Sequence, residues 1–279
     1  MKLHRTPAFL RAYRFLPHRL LNRAAARITA SRHPRVLIDA AIKLWIRRGA
    51  IDMSQFENRP FATIDDFFLR RLRAGARPLG PGFISPVDGI LMATGPIHKN
   101  LRLPIKGRDL SLSRLVHGSD EGQLSDYEGG TFAALFLTPD GYHHIHMPAA
   151  GTIESSRFIP GRFHPQNEDA LLHLDRVYEK NERLVLRCAL SEGLECLLVL
   201  VGASLIGGIE LKGVPRSAWA KPGAIRPLSL ARDKGDEIGH FRFGSTVVVL
   251  LPRCANLHCA LPPGARVKMG ETLLSLNDQ

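Results

Sequence analysis

Three short islands in the 279-residue chain hold side chains that can do chemistry. The first is FGST (243–246), where Gly244 and Ser245 stand just before the apolar run TVVVLL. The second is YHHIHMP (142–148), with His143, His144 and His146, and the third is SPVDG (85–89), with Asp88 ahead of a glycine. A hydroxyl, an imidazole and a carboxylate are the parts of an activated nucleophile. Each island also has a plainer reading: FGST as a turn with a local hydrogen bond, SPVDG as an Asp-Gly turn. The GxSxG signature of hydrolases is absent. A carbonyl much closer to Ser245 is that of Gly244, one bond upstream, and glycine leaves its approach unblocked. On a strand His144 and His146 share one face and His143 takes the other. Imidazoles suit zinc, but no third or fourth ligand stands at useful spacing, so no metal is expected.

These islands need elements to hold them. From about residue 83 the chain breaks into short β-like runs between Gly and Pro, among them GILMATG, TFAALFL, RLVLRCAL, ECLLVLVG and STVVVLL. Such spacing predicts a mostly antiparallel β core, barrel- or sandwich-like. Ahead of it the pattern is helical. Pro17 suits the first turn of a helix over 15–31. Pro34 opens a second helix, where Val36, Leu37, Ala40, Ala41, Leu44 and Trp45 recur at helical spacing. A third is expected over 63–75, with Thr63 as N-cap and Asp66 at the capping-box position. The fold class is therefore α+β, with a helical region over 1–75 and a β-rich catalytic domain over 76–279.

The charge is unevenly placed. Residues 1–50 hold 12 Lys and Arg against the single acid Asp39, whereas the rest of the chain carries 26 basic and 25 acidic side chains. A neutral body with a basic end points to an anionic surface met by that end. Basic amphipathic helices with a tryptophan fit a membrane interface. Equally, their apolar faces can pack on the body. Nucleic acid would want basic and aromatic residues interleaved on the body too, so it is not the expected partner. No run of roughly 18 uncharged apolar residues exists to form a membrane span. The N-terminus lacks the contiguous apolar segment of a secretory signal. Cys188, Cys196, Cys254 and Cys259 lack CxxC spacing and read as reduced thiols of a cytosolic protein.

Taken together, the chain resembles the phosphatidylserine decarboxylases, pyruvoyl enzymes made from self-cleaving precursors. The likeness runs in order from about Thr63 to the C-terminal end. It rests on IDDFFLRRLRAGARPL (64–79), SPVDG (85–89), IKGRDLSLSRLV (105–116), YHHIHMP (142–148), NERLVL (181–186), VGASLIGGIE (201–210) and KGDEIGHFRFGST (234–246). FGST stands for the family's LGST cleavage motif. The resemblance implies that Ser245 attacks the Gly244 carbonyl, with His146 as general base and Asp88 as its orienting partner. Cleavage would give residues 1–244 and 245–279, with a pyruvoyl group at 245 that forms a Schiff base with the phosphatidylserine amine. His143 would serve as proton donor in decarboxylation. A phospholipid substrate at an anionic membrane, a homodimer and a peripheral place on the cytoplasmic face of the cell membrane are implied as well. Alternatives are a decarboxylase of another serine-headed lipid, or a lipid-binding homologue that never cleaves. The chain departs from the family at Gly141, where an acid is common, at His144, often Arg, and at Phe243.

Overall fold

An apolar run without alternation marks a strand covered on both faces, and every residue of Ser245–Leu251 is buried. The computed structural model of the protein describes residues 18–276, apart from 106, 120–123, 167, 204–207, 220 and 243–244. In chain order the strands are β1 (Phe83–Ile84), β2 (Gly89–Pro96), β3 (Arg102–Ile105), β4 (Arg108–Ser111), β5 (Thr131–Leu137), β6 (His144–His146), β7 (Gly151–Ile159) and β8 (Arg183–Leu190). They continue as β9 (Glu195–Gly202), β10 (Ile209–Leu211), β11 (Ile225–Arg232), β12 (Glu237–Phe241), β13 (Ser245–Leu251), β14 (Leu257–His258), β15 (Arg266–Val267) and β16 (Thr272–Leu276). The helices are α1 (His18–Thr29), α2 (Arg35–Gly49), α3 (Ile64–Phe68), α4 (Leu112–His117), α5 (Glu168–His173) and α6 (Val177–Lys180).

Eight strands form one sheet in the order β11-β7-β8-β9-β13-β5-β2-β15, with β13 between β9 and β5. All of its pairings are antiparallel. Side chains alternate along β13, so Val247, Val249 and Leu251 enter one core and Val248 and Leu250 the other. The first core is closed by a small sheet, β10-β12-β6, through Ile145, Met147, Ile209, Ile238 and Phe241. The second lies under the β3–β4 hairpin and α4 to α6, through Leu103, Leu110, Leu115 and Tyr178. Three layers result; the class is α+β as expected, but α4, α5 and α6 lie within the β body rather than ahead of it. Among the described residues β11 and β15 pair only on one side, so the sheet is open and no barrel closes.

Two helical expectations change. Thr63 does cap α3, accepting from Asp66 N–H at 2.9 Å, but α3 ends at Phe68. Beyond it the chain runs extended, with Leu72 bridged to Phe56 and Arg73 N–H bonded to the Gln55 carbonyl. This path sends Arg70 inward, which a helix to residue 75 would not do. On α2 the buried residues are Ile38 and Ile42, packed with Trp45 and Ile46 against Phe67. Val36, Leu37 and Leu44 of the expected stripe stay exposed. The helix expected from residue 15 is seen from His18; residues 15–17 lie outside the described residues.

Candidate active site

Register brings the three islands to one end of the large sheet. Ser245, first residue of β13, pairs with Leu137 at the exit of β5 and Gly202 at the exit of β9. Asp88 precedes β2, whose Ile90 pairs with Phe136 of β5. A Cβ at Gly89 would stand 3.1 Å from the Phe136 carbonyl oxygen, a tight contact that glycine avoids where β2 starts beside β5. Residues 138–143 leave the same end and lead into β6. Strand alternation turns Ser245 with Val247 and Val249 toward the layer that holds β6.

Ser245 is fully buried, and its Oγ has no hydrogen-bond partner among the described residues. Gly244, the other half of the expected cleavage site, lies outside the described residues. His143 is also fully buried, its ring centroid 3.9 Å from that of Phe68. Its Nδ1 lies 3.0 Å from the Gly141 carbonyl oxygen, so Nδ1 carries the proton and Nε2 a lone pair with no partner among the described residues. Burial, with the nearby Arg70 cation adding to it, pulls the His143 pKa down to about 3. The ring is neutral at physiological pH. Gly141 thus orients His143 with its carbonyl, at the position where the family commonly has an acid.

His146 is engaged at both nitrogens. Nδ1 donates to the Gly235 carbonyl at 2.7 Å, and the Tyr142 hydroxyl donates to Nε2 at 2.9 Å. Burial pushes its pKa below the usual imidazole value. The expected Asp88–His146 hydrogen bond is not formed. The Asp88 carboxylate accepts instead from Arg77 at 2.8 Å and from Met269 N–H at 2.7 Å, clamping the start of β2. Nor does Ser245 bond to His146. The three groups converge on one end of the fold without a direct relay among them.

Arg70, Tyr142, Gly235 and Glu237 were not visible as site residues in the sequence. Buried Arg70 donates to the carbonyls of Asp140 and Gly141, the latter at 2.7 Å, and lies 4.6 Å from the centroid of Phe56. An arginine inside RRLR carries no signal of burial. His144 places Nδ1 2.7 Å from Glu237 Oε1 and Nε2 3.1 Å from the Leu69 carbonyl, and stacks on Tyr142. That hydrogen bond holds the Glu237 carboxyl down to about 2. Only the cross-strand pairing of β12 with β6 joins these residues, and no sequence spacing announces it.

The family description "Phosphatidylserine decarboxylase" matches residues 64–275. The phosphatidylserine decarboxylase proenzyme of Brevibacillus brevis is 36% identical over 245 residues, covering 85% of this chain and 86% of the relative. That of Anaeromyxobacter sp. is 34% identical over 278 residues, covering 95% and 97%. That of Azotobacter vinelandii is 35% identical over 283 residues, covering 95% and 96%. A buried serine heading the central strand, two histidines on the loop and strand beside it and a match over most of the length agree: the chain belongs to the phosphatidylserine decarboxylase family.

Proposed function

We propose that Ser245 attacks the Gly244 carbonyl to form an ester, that elimination at Ser245 cuts the chain and leaves Gly244 with a carboxylate, and that water then displaces the nitrogen of residue 245 as ammonia, leaving a pyruvoyl group. The enzyme decarboxylates phosphatidylserine to phosphatidylethanolamine. One observation supports the assignment of the seam: the Ser245 hydroxyl is wholly buried at the head of an apolar strand and has no partner among the described residues. Buried hydroxyls are nearly always hydrogen-bonded, and exceptions call for a chemical reason. The pyruvoyl group supplies an electron-withdrawing carbonyl that takes up the substrate amine and accepts the electron pair left as carbon dioxide departs.

The chain's own residues move the protons. His146 takes the Ser245 proton once its bond from Tyr142 opens. Asp88 acts as a clamp, holding the start of β2 to Arg77 and residue 269. His143 meets the substrate as a neutral acceptor at Nε2. The carboxylate and phosphate of an arriving head group favour its protonated form. The proton it takes up comes from the substrate ammonium, which must lose it before the amine can add to a carbonyl, and is the one it returns to the substrate carbon, so its donor role follows from its acceptor role.

The membrane-contacting part is α1 and α2, because Phe68 and Arg70 belong to the wall of the site. Val36, Leu37 and Leu44 are exposed beside Arg35, Lys43, Arg47 and Arg48. Each basic side chain near an anionic leaflet is worth about 1 kcal/mol. No helix among the described residues is long and apolar enough to cross a membrane. A peripheral place on the cytoplasmic face and a homodimer belong to the same proposal.

Intact mass and a denaturing gel test the seam. The protein should yield residues 1–244 and 245–279, the smaller without a free N-terminal amine, while Ser245→Ala stays whole. Vesicles holding carboxyl-labelled phosphatidylserine should then release labelled carbon dioxide with the cut protein alone. An uncut chain in both samples after incubation with membranes would overturn the reading.

A further inference from the structure

The small sheet carries a second cluster of chemistry-bearing side chains. Glu210 of β10 pairs with His240 of β12, and His240 pairs with His144 of β6, so the three form a row across adjacent strands. Gly239 allows it: a Cβ there would lie 2.2 Å from the Glu210 carbonyl oxygen, so only glycine lets β12 approach β10. A register shift between Glu237 and Gly239 adds Glu237 to the row. One nitrogen each from His144 and His240 and one carboxylate oxygen of Glu237 lie within 4.8 Å of one another.

We propose that His144, His240 and Glu237 bind one divalent transition-metal ion of the zinc class. Three features of the geometry support this. First, both nitrogens of His144 face oxygen acceptors, Glu237 Oε1 at 2.7 Å and the Leu69 carbonyl at 3.1 Å. A neutral imidazole has one N–H, so one of these contacts needs a second cation between its atoms. With the N–H on Nε2 given to Leu69, the Nδ1 lone pair and the carboxylate form two arms of a metal site. Second, each histidine has the outer partner that metal-ligating histidines use, a backbone carbonyl or a carboxylate. For His144 it is Leu69; for His240 it is Glu210, 3.3 Å from Nε2. Third, two imidazoles and one carboxylate are the ligand set of open zinc sites, which keep a position for an exogenous ligand. All three ligands line a groove of about 780 Å³, open to an exogenous ligand, where Arg59 is paired with Asp66 and Arg242 with Glu210. The competing cation, Lys212, is loosely placed 3.7 Å from Glu237 and 60% exposed, free to swing away.

The test uses the full chain, purified without a histidine tag, stripped with chelator and titrated with cobalt(II). Visible d–d bands of low coordination number should saturate at equimolar cobalt and disappear on adding zinc. His240→Gln and Glu237→Gln should abolish them, and Glu210→Gln should weaken cobalt binding roughly 10–100-fold. Absence of bands in a chain with native circular dichroism overturns the proposal, leaving a proton as the shared cation. Bands undiminished in folded His240→Gln overturn it too. Should that variant fail to fold, Glu210→Gln decides, and unchanged cobalt affinity there counts against the site.

Discussion

Replacing Arg70 with lysine keeps a cation but removes the planar fork. The guanidinium is buried, and burial lowers its pKa to about 10, so it is charged at neutral pH. It donates to the carbonyls of Asp140 and Gly141 and lies 4.6 and 5.0 Å from the centroids of Phe56 and Phe67. Both bonds come from Nη2, and a lysine ammonium ends one bond short of that atom, so it can hold one of those carbonyls but not both while keeping the rings. Losing one charged hydrogen bond and most of the ring contact should cost about 2–4 kcal/mol. The Gly141 carbonyl also accepts from His143 Nδ1, so the same change loosens the ring beside the seam. Urea denaturation in a Ser245→Ala background reads stability on an uncut chain, and the rate of self-cleavage reads the site. Arg70→Lys should lose that stability and cleave more slowly. A loss below about 0.5 kcal/mol, within what surface substitutions do, together with normal cleavage would refute the claim that Arg70 holds the 138–143 loop.

Four further outcomes are expected. Asp66 accepts from Arg59 and from Ala62 N–H, and the Arg59 bond depresses its pKa. Its contribution, about 0.5–1 kcal/mol for so exposed a pair, is present at neutral pH and lost as pH falls below the usual carboxylate value. The stability gap to Asp66→Asn should therefore close in acid; a gap constant to low pH would contradict this. If Asp88 acts as a clamp, Arg77→Met should slow cleavage as Asp88→Asn does, and normal cleavage in Arg77→Met would restore Asp88 as a direct partner of His146. Tyr142→Phe should keep cleaving, because it frees His146 Nε2; loss of cleavage would make the Tyr142 hydroxyl a proton carrier. Val36→Asp with Leu37→Asp should weaken sedimentation with anionic vesicles while leaving self-cleavage intact, and unchanged sedimentation would remove α2 from the membrane surface.

Much of the architecture was legible in the chain. The run from Thr246 to Leu251 announced a strand with two covered faces, and the β texture after residue 83 announced the antiparallel body. Thr63 announced a cap, though not the length of the helix behind it. What stayed hidden depends on contacts distant in sequence. Arg70 sits among arginines that point to solvent, and only the path after Phe68 turns it inward. On α2 the apolar residues lie on both sides, so the spacing could not say that Ile38 and Ile42 would be buried and Val36 and Leu37 left out. The family resemblance made Asp88 and His146 a pair; their actual partners are a backbone N–H, a backbone carbonyl, Arg77 and Tyr142. Backbone partners leave no trace in residue identity.

The position of β13 has a consequence for the life history of the molecule. Residues 245–251 are zipped to β5 on one side and, through residue 250, to β9 on the other, and farther along β15 and β16 pair with β2 and β1. A cut ahead of Ser245 would leave the short piece threaded through the middle of the long one, unable to leave without dismantling the sheet. Assembly before the cut is a first-order event within one chain; afterwards it would need two molecules to meet. Unfolding of the processed protein would then become dependent on concentration. Dilution would penalise its return in a way the precursor never experiences, so maturation would work as a ratchet, with folding competence spent once.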